Sequence, residues 1–133
     1  MSDNPLLHVS WRVPFDLIEA AHVEPGLNAL VQRAQCRIET LIQDSTLPTW
    51  ENTMLSLEVA TEDLDYAVGV VRHLEAVATT PELRASWNAA EPVTTAFYSQ
   101  IPLNEGLWKR LQQYAKTPEA GSLTGVRDRK SVV

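Results

Sequence analysis

The sequence predicts an all-α protein built from about four main amphipathic helices, and two observations support this fold class. Apolar residues recur every three or four positions along most of the chain, the period of a helix with one buried face. Alternation with period two never lasts more than a few residues, and no Asn-Gly or Asp-Gly turn separates two apolar runs. Short proline-marked breaks separate the periodic stretches, so strands are not expected.

The first 43 residues are predicted to form an arm and a long helix. Two prolines favour an extended conformation over residues 1–14, which carry enough apolar side chains to dock on the rest of the protein. The first helix is predicted from about Glu19 to Gln43, with a break or kink between Ala20 and Gly26, where a proline lies beyond the first turn. Its predicted buried stripe consists of Val23, Leu27, Leu30, Val31, Ala34, Ile38, Leu41 and Ile42.

A connector over Asp44–Pro48 precedes the second predicted helix, which spans about Trp50 to Val77. Thr49 is a plausible N-cap, and Glu51 lies in the first turn, where the helix dipole favours an acidic residue. The buried stripe is predicted to include Met54, Leu57, Leu64, Val68, Val71 and Leu74, widened by Leu55 and Val59. The outer face is predicted to be acidic through Glu58, Glu62, Asp63 and Asp65.

The third helix has the clearest start, with Thr80 as cap, Pro81 at the first helical position and Glu82 in the first turn. Pro92 is expected to bend or split this helix, which ends at Ile101-Pro102. Its predicted stripe consists of Leu83, Trp87, Ala90, Val93, Phe97 and Ile101.

A fourth helix is predicted to open at Asn104-Glu105. The segment Thr117–Ser122 is predicted to be a polar loop, and Leu123–Val133 is too short to assign. The apolar positions of the fourth helix are Leu107, Trp108, Leu111 and Tyr114.

Composition and length exclude several classes of protein. The 133 residues suffice for one buried core, so residues 1–133 are predicted to form a single helical domain. A net charge of −6 disfavours binding to nucleic acid. No run approaches the ~18 apolar residues of a membrane helix, and the first residues do not resemble a secretory signal. We therefore expect a cytoplasmic protein that binds neither nucleic acid nor membranes.

No catalytic, cofactor-binding or metal-binding residue is predicted in this chain. None of the pairs among His8, His22 and His73 has the spacing of four that places two imidazoles on one helical face. Cys36 falls in mid-helix, where a cysteine is usually a small core or boundary residue. The glycines are scattered and form no phosphate-binding loop, and acidic pairs on one helical face lack a facing partner for acid–base catalysis.

Short segments in a fixed order resemble the opening of the M3 zinc metallopeptidases, within the branch of oligopeptidase A and dipeptidyl carboxypeptidase. The resemblance extends from Asn4 to about Arg129, and its most specific step is Trp-Glu-Asn-Thr. The segments are 4–7 (Asn-Pro-Leu-Leu), 14–18 (Pro-Phe-Asp-Leu-Ile), 22–25 (His-Val-Glu-Pro), 49–53 (Thr-Trp-Glu-Asn-Thr), 73–77 (His-Leu-Glu-Ala-Val), 80–84 (Thr-Pro-Glu-Leu-Arg), 104–108 (Asn-Glu-Gly-Leu-Trp) and 123–127 (Leu-Thr-Gly-Val-Arg).

The resemblance implies a cytosolic enzyme that cleaves short peptides inside a deep channel of an almost wholly helical fold. In that family, a His-Glu-x-x-His helix and a later glutamate hold zinc, and the glutamate of the motif activates the bound water. No position of this sequence matches those residues, so zinc is implied for the full-length family and not for this chain. The matching region is implied to wall the channel, with the catalytic C-terminal domain as its partner.

Two functions are compatible with the sequence. The first is an N-terminal fragment of an oligopeptidase A-like peptidase, inactive alone, with short peptides as substrates of the full-length enzyme. The last five residues, 129–133, fit the family's continuation poorly, and we expect a partial sequence, a truncated gene or a short stand-alone protein, in that order. The alternative function is a stand-alone helical interaction module without enzymatic activity.

Overall fold

The computed structural model describes residues 4–123, and within this range the chain is helical without strands, which confirms the predicted all-α class. A π-helical turn leads directly into the second α-helix. The elements in chain order are α1 (Ala20–Gln43), the π-helical turn (Trp50–Leu55), α2 (Ser56–Ala78), α3 (Pro81–Gln100), α4 (Glu105–Ala115) and α5 (Pro118–Gly121). Short 3-10 turns occupy Pro5–Leu7, Phe15–Leu17 and Ile101–Leu103.

Helix α1 is the central element, because it packs against both α2 and α3 while these two contact each other little. Its predicted apolar stripe is buried, except that Ile42 is only partly covered. Each large apolar side chain buried in this way stabilises the fold by about 1.5–3 kcal/mol. The core cluster draws on all three helices and includes Val23, Leu27, Leu30, Ala34, Ile38, Leu64, Ala67, Val71, Leu83, Trp87, Ala90 and Phe97.

The N-terminal arm docks on α1 as predicted, but it is not extended throughout. The side chain of Asn4 accepts a hydrogen bond from the Leu6 amide at 3.0 Å, which caps the 3-10 turn Pro5–Leu7. Its Nδ2 donates to the carbonyl of His22 in α1 at 2.9 Å, and Leu6 is fully buried in the core. Other apolar side chains of this region stay largely in solvent, namely Val9, Trp11, Phe15 and Leu17.

The expected interruptions at prolines are not found. Helix α1 runs continuously from Ala20 through Pro25, and α3 runs continuously through Pro92. Each proline removes one backbone hydrogen bond, from its own position to the carbonyl four residues earlier. Packing on both sides of each proline holds the helix together, because buried residues flank Pro25 (Val23 and Leu27) and Pro92 (Ala90 and Thr94).

Three apolar side chains predicted to be buried are exposed. Leu55 and Val59 lie on the side of α2 that faces no other helix, and Val93 lies on the corresponding open side of α3. Apolar periodicity marks every residue near one face, but each of these helices has its main neighbour, α1, on one side only. Ala60 and Ala67 fill the contact instead, since their small side chains let two helices approach closely.

The segment 117–122, predicted to be a polar loop, contains the one-turn helix α5. The Thr117 hydroxyl accepts a hydrogen bond from the Ala120 amide at 3.3 Å, and Pro118 occupies the first helical position. The prediction missed the helix because one turn is too short to show periodicity. Most of the last matching segment, residues 123–127, lies outside the described residues. Over residues 4–123, no helix has both the length and the apolar character needed to cross a membrane.

Candidate functional site

The three histidines lie far from one another in role and position. His22 Nδ1 accepts a hydrogen bond from the Glu19 amide at 2.9 Å and so closes a capping box at the start of α1. The ring of His73 lies 5.5 Å from that of Phe15, and His8 is exposed. Among residues 4–123, no group of three or more His, Cys, Asp or Glu side chains comes together that could hold a metal ion. The zinc implied by the family resemblance therefore does not fit these residues.

Cys36 is exposed on α1, which corrects the expectation of a core or boundary cysteine. It lies on the rim shared by two grooves, one between α1 and the start of α2 and one between α1 and the end of α3. The helical repeat places Cys36 on the outer side of α1, away from the buried stripe. It therefore reports on whatever covers this surface.

Asp63 is buried, which corrects the prediction that it belongs to an exposed acidic face. Its two carboxylate oxygens pair with Arg33 Nη1 at 3.0 Å and Arg37 Nη1 at 2.9 Å, both on α1. The Asp63 side chain is 12% exposed, whereas each arginine side chain is 40% exposed. The carboxylate joins α2 to α1, and two guanidinium groups against one carboxylate leave a net positive charge at the surface.

The segment Thr49–Thr53, the most specific step of the family resemblance, forms a hydrogen-bonded hub at the π-helical turn. Thr49 Oγ1 accepts from the Asn52 amide at 3.1 Å, and Asn52 Oδ1 accepts from the Thr49 amide at 2.7 Å. Asn52 Nδ2 donates to the Leu47 carbonyl at 2.9 Å. The Trp50 amide donates to Glu119 of α5. The described partners of this motif are structural, so it positions the connector rather than supplying a reactive group.

Arg110 of α4 ties this hub to the connector and is a residue that the sequence reasoning missed. It is 4% exposed, and its Nη1 donates to the carbonyls of Asp44 at 2.7 Å and Thr46 at 3.0 Å. Its Nη2 donates to Asn52 Oδ1 at 3.2 Å. One signal could have found it, because Arg110 lies three residues after Leu107 and four before Tyr114, inside the apolar stripe of α4.

Two pKa values are shifted in this part of the fold. The Thr46 hydroxyl and amide donate to Asp44 Oδ1 at 2.6 and 2.9 Å, and these bonds, with the nearby Arg110, lower the pKa of Asp44 below 3.8. On α3, burial raises the pKa of Tyr98, and the hydrogen bond that its hydroxyl donates to Asp65 raises it further. Neither group adjoins a second reactive side chain in the described residues, so the shifts concern stability.

The groove between α1 and the start of α2 is the surface feature that stands out. It has a volume of about 870 Å³ and follows the two helices from the Arg33 and Arg37 end to the Asp44 and Glu51 end. Side chains of α1 and of the α2 segment form its two walls. The walls include Cys36 and Thr40 on one side and Leu55 and Val59 on the other.

Comparison with known proteins places the chain in one family. The family model described as Neurolysin/Thimet oligopeptidase, N-terminal domain, matches residues 27–132. The chain is 33% identical over 129 residues to an Arabidopsis thaliana protein named Organellar oligopeptidase A, chloroplastic/mitochondrial, which covers 97% of this chain and 16% of that protein. It is 32% identical over 129 residues to the Probable cytosolic oligopeptidase A of the same plant, covering 97% and 18%.

A third relative extends the match to the other member of the predicted branch. The Dipeptidyl carboxypeptidase of Salmonella typhimurium (strain LT2) is 30% identical over 115 residues, covering 84% of this chain and 17% of that protein. This chain therefore spans less than a fifth of the length of these relatives. The predicted resemblance is confirmed. The chain belongs to the neurolysin/thimet oligopeptidase N-terminal domain family, and its sequence is that of an M3 peptidase N-terminal region.

Proposed function

We propose that this chain is the N-terminal helical part of an oligopeptidase A-like zinc metallopeptidase and that it helps to wall the channel in which short peptides are hydrolysed. The observation that supports this most is the alignment itself, which takes in 97% of this chain and only 16% of an oligopeptidase A. The chain thus corresponds to a small helical portion of a much longer enzyme. The chain's own contribution is a rigid helical surface, and the chemistry belongs to other residues of that enzyme.

The described residues support a positioning role. The α1–α3 core, the Asp63 ion pairs and the Arg110 hub hold the helices in a defined arrangement. Metal-assisted hydrolysis needs ligands that hold zinc and a base that activates water. Residues 4–123 bring no such ligand set together, so we assign no catalytic step to them.

The direct test is a chimera in which the 133-residue chain replaces the matching region of the Arabidopsis organellar oligopeptidase A. We expect the chimera to hydrolyse short unstructured peptides and to leave folded proteins intact, because a walled channel admits only flexible chains. A version of the relative without this region is the control. Failure of the chimera to fold, or cleavage of folded proteins by it, would contradict the proposal.

The isolated chain supplies a second test. We expect the purified 133-residue protein to carry no stoichiometric zinc and to hydrolyse no short peptide. Bound zinc with hydrolysis that a chelator abolishes would sink this proposal. The intact mass of the endogenous protein, detected through an N-terminal peptide, should be several times the 14.8 kDa of this chain.

The alternative function is a stand-alone helical interaction module, and the continuous core across three helices favours it enough to test. A module should unfold cooperatively, stay monodisperse and exist in the cell at 14.8 kDa. A part of a larger fold should expose apolar surface, bind hydrophobic dyes and associate nonspecifically. An endogenous species of 14.8 kDa with no longer form would favour the module.

For localisation we propose the cytosol. One relative is named a probable cytosolic oligopeptidase A, while another is named chloroplastic/mitochondrial. The proposal rests on the first of these and on the polar opening residues of the sequence. Fractionation of cells with an antibody to this chain tests it, and recovery in an organelle would contradict it.

A further inference from the structure

We propose that the groove between α1 and the start of α2 is the docking site of an amphipathic α-helix from the remaining part of the oligopeptidase chain. The helix would lie along the groove with its N-terminus at the Asp44 and Glu51 end and its C-terminus at the Arg33 and Arg37 end. This inference rests on the proposed function, because the occupant belongs to the enzyme of which this chain is a part.

The dimensions of the groove suit one helix. Residues 33 and 44, which mark its two ends on α1, are about 16 Å apart along the helix axis, the length of three helical turns. The residues between the walls are small or already buried, which permits the interaxial distance of about 8–10 Å at which helices pack. These residues include Cys36, Thr40, Ser56 and Ala60, with Leu41 buried beneath them.

The apolar wall of the groove lacks a covering helix within residues 4–123. Leu55 is 41% exposed and Val59 is 47% exposed, and they lie one turn apart on the same side of the α2 segment. This spacing matches apolar residues at positions i, i+3 and i+4 of a helix laid into the groove. The occupant is therefore expected to present a short apolar stripe to α2.

The charges at the two ends give the occupant its direction. At one end Arg33 and Arg37 share the single carboxylate of Asp63, which leaves net positive charge. At the other end Glu51 is exposed and Asp44 is half-covered, its charge partly offset by Arg110. A helix carries partial positive charge at its N-terminus and partial negative charge at its C-terminus. The favourable orientation places its N-terminus beside Glu51.

A second copy of this chain is a poorer occupant. In a symmetric dimer through this surface, the groove of one copy would face the groove of the other, because a two-fold interface uses the same patch on both subunits. Two concave surfaces leave the space of about 870 Å³ unfilled on each side. A protruding helix fills it.

The test uses the chimera described above and the single cysteine of this chain. Cys36 lies on the groove rim and is exposed, so its alkylation rate, followed by the mass of its tryptic peptide, measures coverage. We expect alkylation in the chimera to be at least about tenfold slower than in the isolated chain. Val59→Lys should restore fast alkylation and lower the chimera's thermal stability. Val93→Lys, at a valine 42% exposed on α3 and outside this groove, should change neither.

A charge reversal tests the direction of the occupant. Glu51→Lys should speed alkylation of Cys36 in the chimera several-fold, because it places a positive charge beside the N-terminus of the docked helix. Glu105→Lys is the matched control, since Glu105 also occupies the first turn of a helix and is exposed. Melting of the isolated variant chains checks that they fold.

The outcomes separate this inference from the proposed function. An active chimera in which Cys36 alkylates as fast as in the isolated chain, and in which Val59→Lys behaves like Val93→Lys, overturns the docking site and leaves the proposed function standing. A chimera that does not fold or hydrolyse peptides overturns both. An isolated chain that forms dimers, protects Cys36 and becomes monomeric with Val59→Lys overturns the helix in favour of a second copy.

Discussion

The two ends of the molecule are held together by different interactions. The α1–α3 bundle is joined mainly by apolar side chains, with Leu64 and its neighbours fully buried against α1. The end formed by α4, α5 and the connector is joined by a network of hydrogen bonds around Arg110 and Asn52. Apolar burial tolerates small displacements, because it depends on area and not on direction. A buried guanidinium tolerates few, because each lost partner leaves a polar group unsatisfied.

The difference shows why the family segment Thr49–Thr53 has an unusual composition for a helix start. Its side chains satisfy backbone groups of the connector, and Arg110 completes the set from a helix more than fifty residues later. The bundle needs only residues of the right size and polarity at the right period. The hub needs particular residues, which is why its motif is specific enough to carry a resemblance.

The largest effect is expected in the bundle. Leu64→Ala should lower the free energy of unfolding by about 2–5 kcal/mol, because Leu64 is fully buried and its truncation leaves a cavity. Leu55→Ala is the matched control on the same helical segment, and a change within about 0.5 kcal/mol is expected because Leu55 is exposed. Urea unfolding measures both. Equal effects of the two variants would mean that the bundle is not the apolar core described.

The second effect concerns the hub. Arg110→Met keeps the packing volume but removes every hydrogen bond to Asp44, Thr46 and Asn52, so a loss of about 2–4 kcal/mol is expected. Arg84→Met is the control, because Arg84 pairs with Glu75 at 3.3 Å while remaining 60% exposed. That pair should contribute less than about 1 kcal/mol. A loss for Arg110→Met no larger than that for Arg84→Met would break the contrast between the two regions.

The contact between the regions is tested by two glycines with opposite expectations. A Cβ at Gly106 of α4 would lie 2.8 Å from Cγ2 of Ile42 on α1, so Gly106→Ala should destabilise by about 1–2 kcal/mol. Gly69 in α2 has nothing within 4 Å of the same position. Gly69→Ala should stabilise by about 0.5–1 kcal/mol through helix propensity. Thermal melting decides, and changes of the same sign would contradict the packing of α4 on α1.

The smallest effect is the pH dependence of the connector. The pKa of Asp44 is lowered in the folded state, so this carboxylate stabilises the fold above its unfolded value of about 3.9, and the contribution is lost as pH falls through the folded value. Asp44→Asn should therefore show a shallower loss of stability below about pH 4 than the wild type. Chemical unfolding between neutral and acidic pH measures the difference. Parallel curves would mean that the hydrogen bonds from Thr46 do not favour the charged form.

Particular elements show how far the sequence could predict this structure. The stripe of α1 and the caps Thr49, Thr80 and Asn104 follow from local pattern, since an N-cap acts within three residues of itself. The exposure of Val59 and the burial of Asp63 do not, because both depend on where α1 lies relative to α2. Pro25 misled for a similar reason, since the cost of one missing hydrogen bond is local while the packing that offsets it is not.

The sequence by itself determined the helical class, the order of the helices, most of the buried stripe of α1 and the family, because these depend on composition, period and short motifs. The tertiary structure alone decided that Arg33 and Arg37 share Asp63, that Arg110 joins the connector to α4, and that a groove with charged ends lies beside Leu55 and Val59. Those features arise where residues distant in sequence meet. Directional interactions and surface shape depend on the relative placement of whole helices, which a local pattern does not encode.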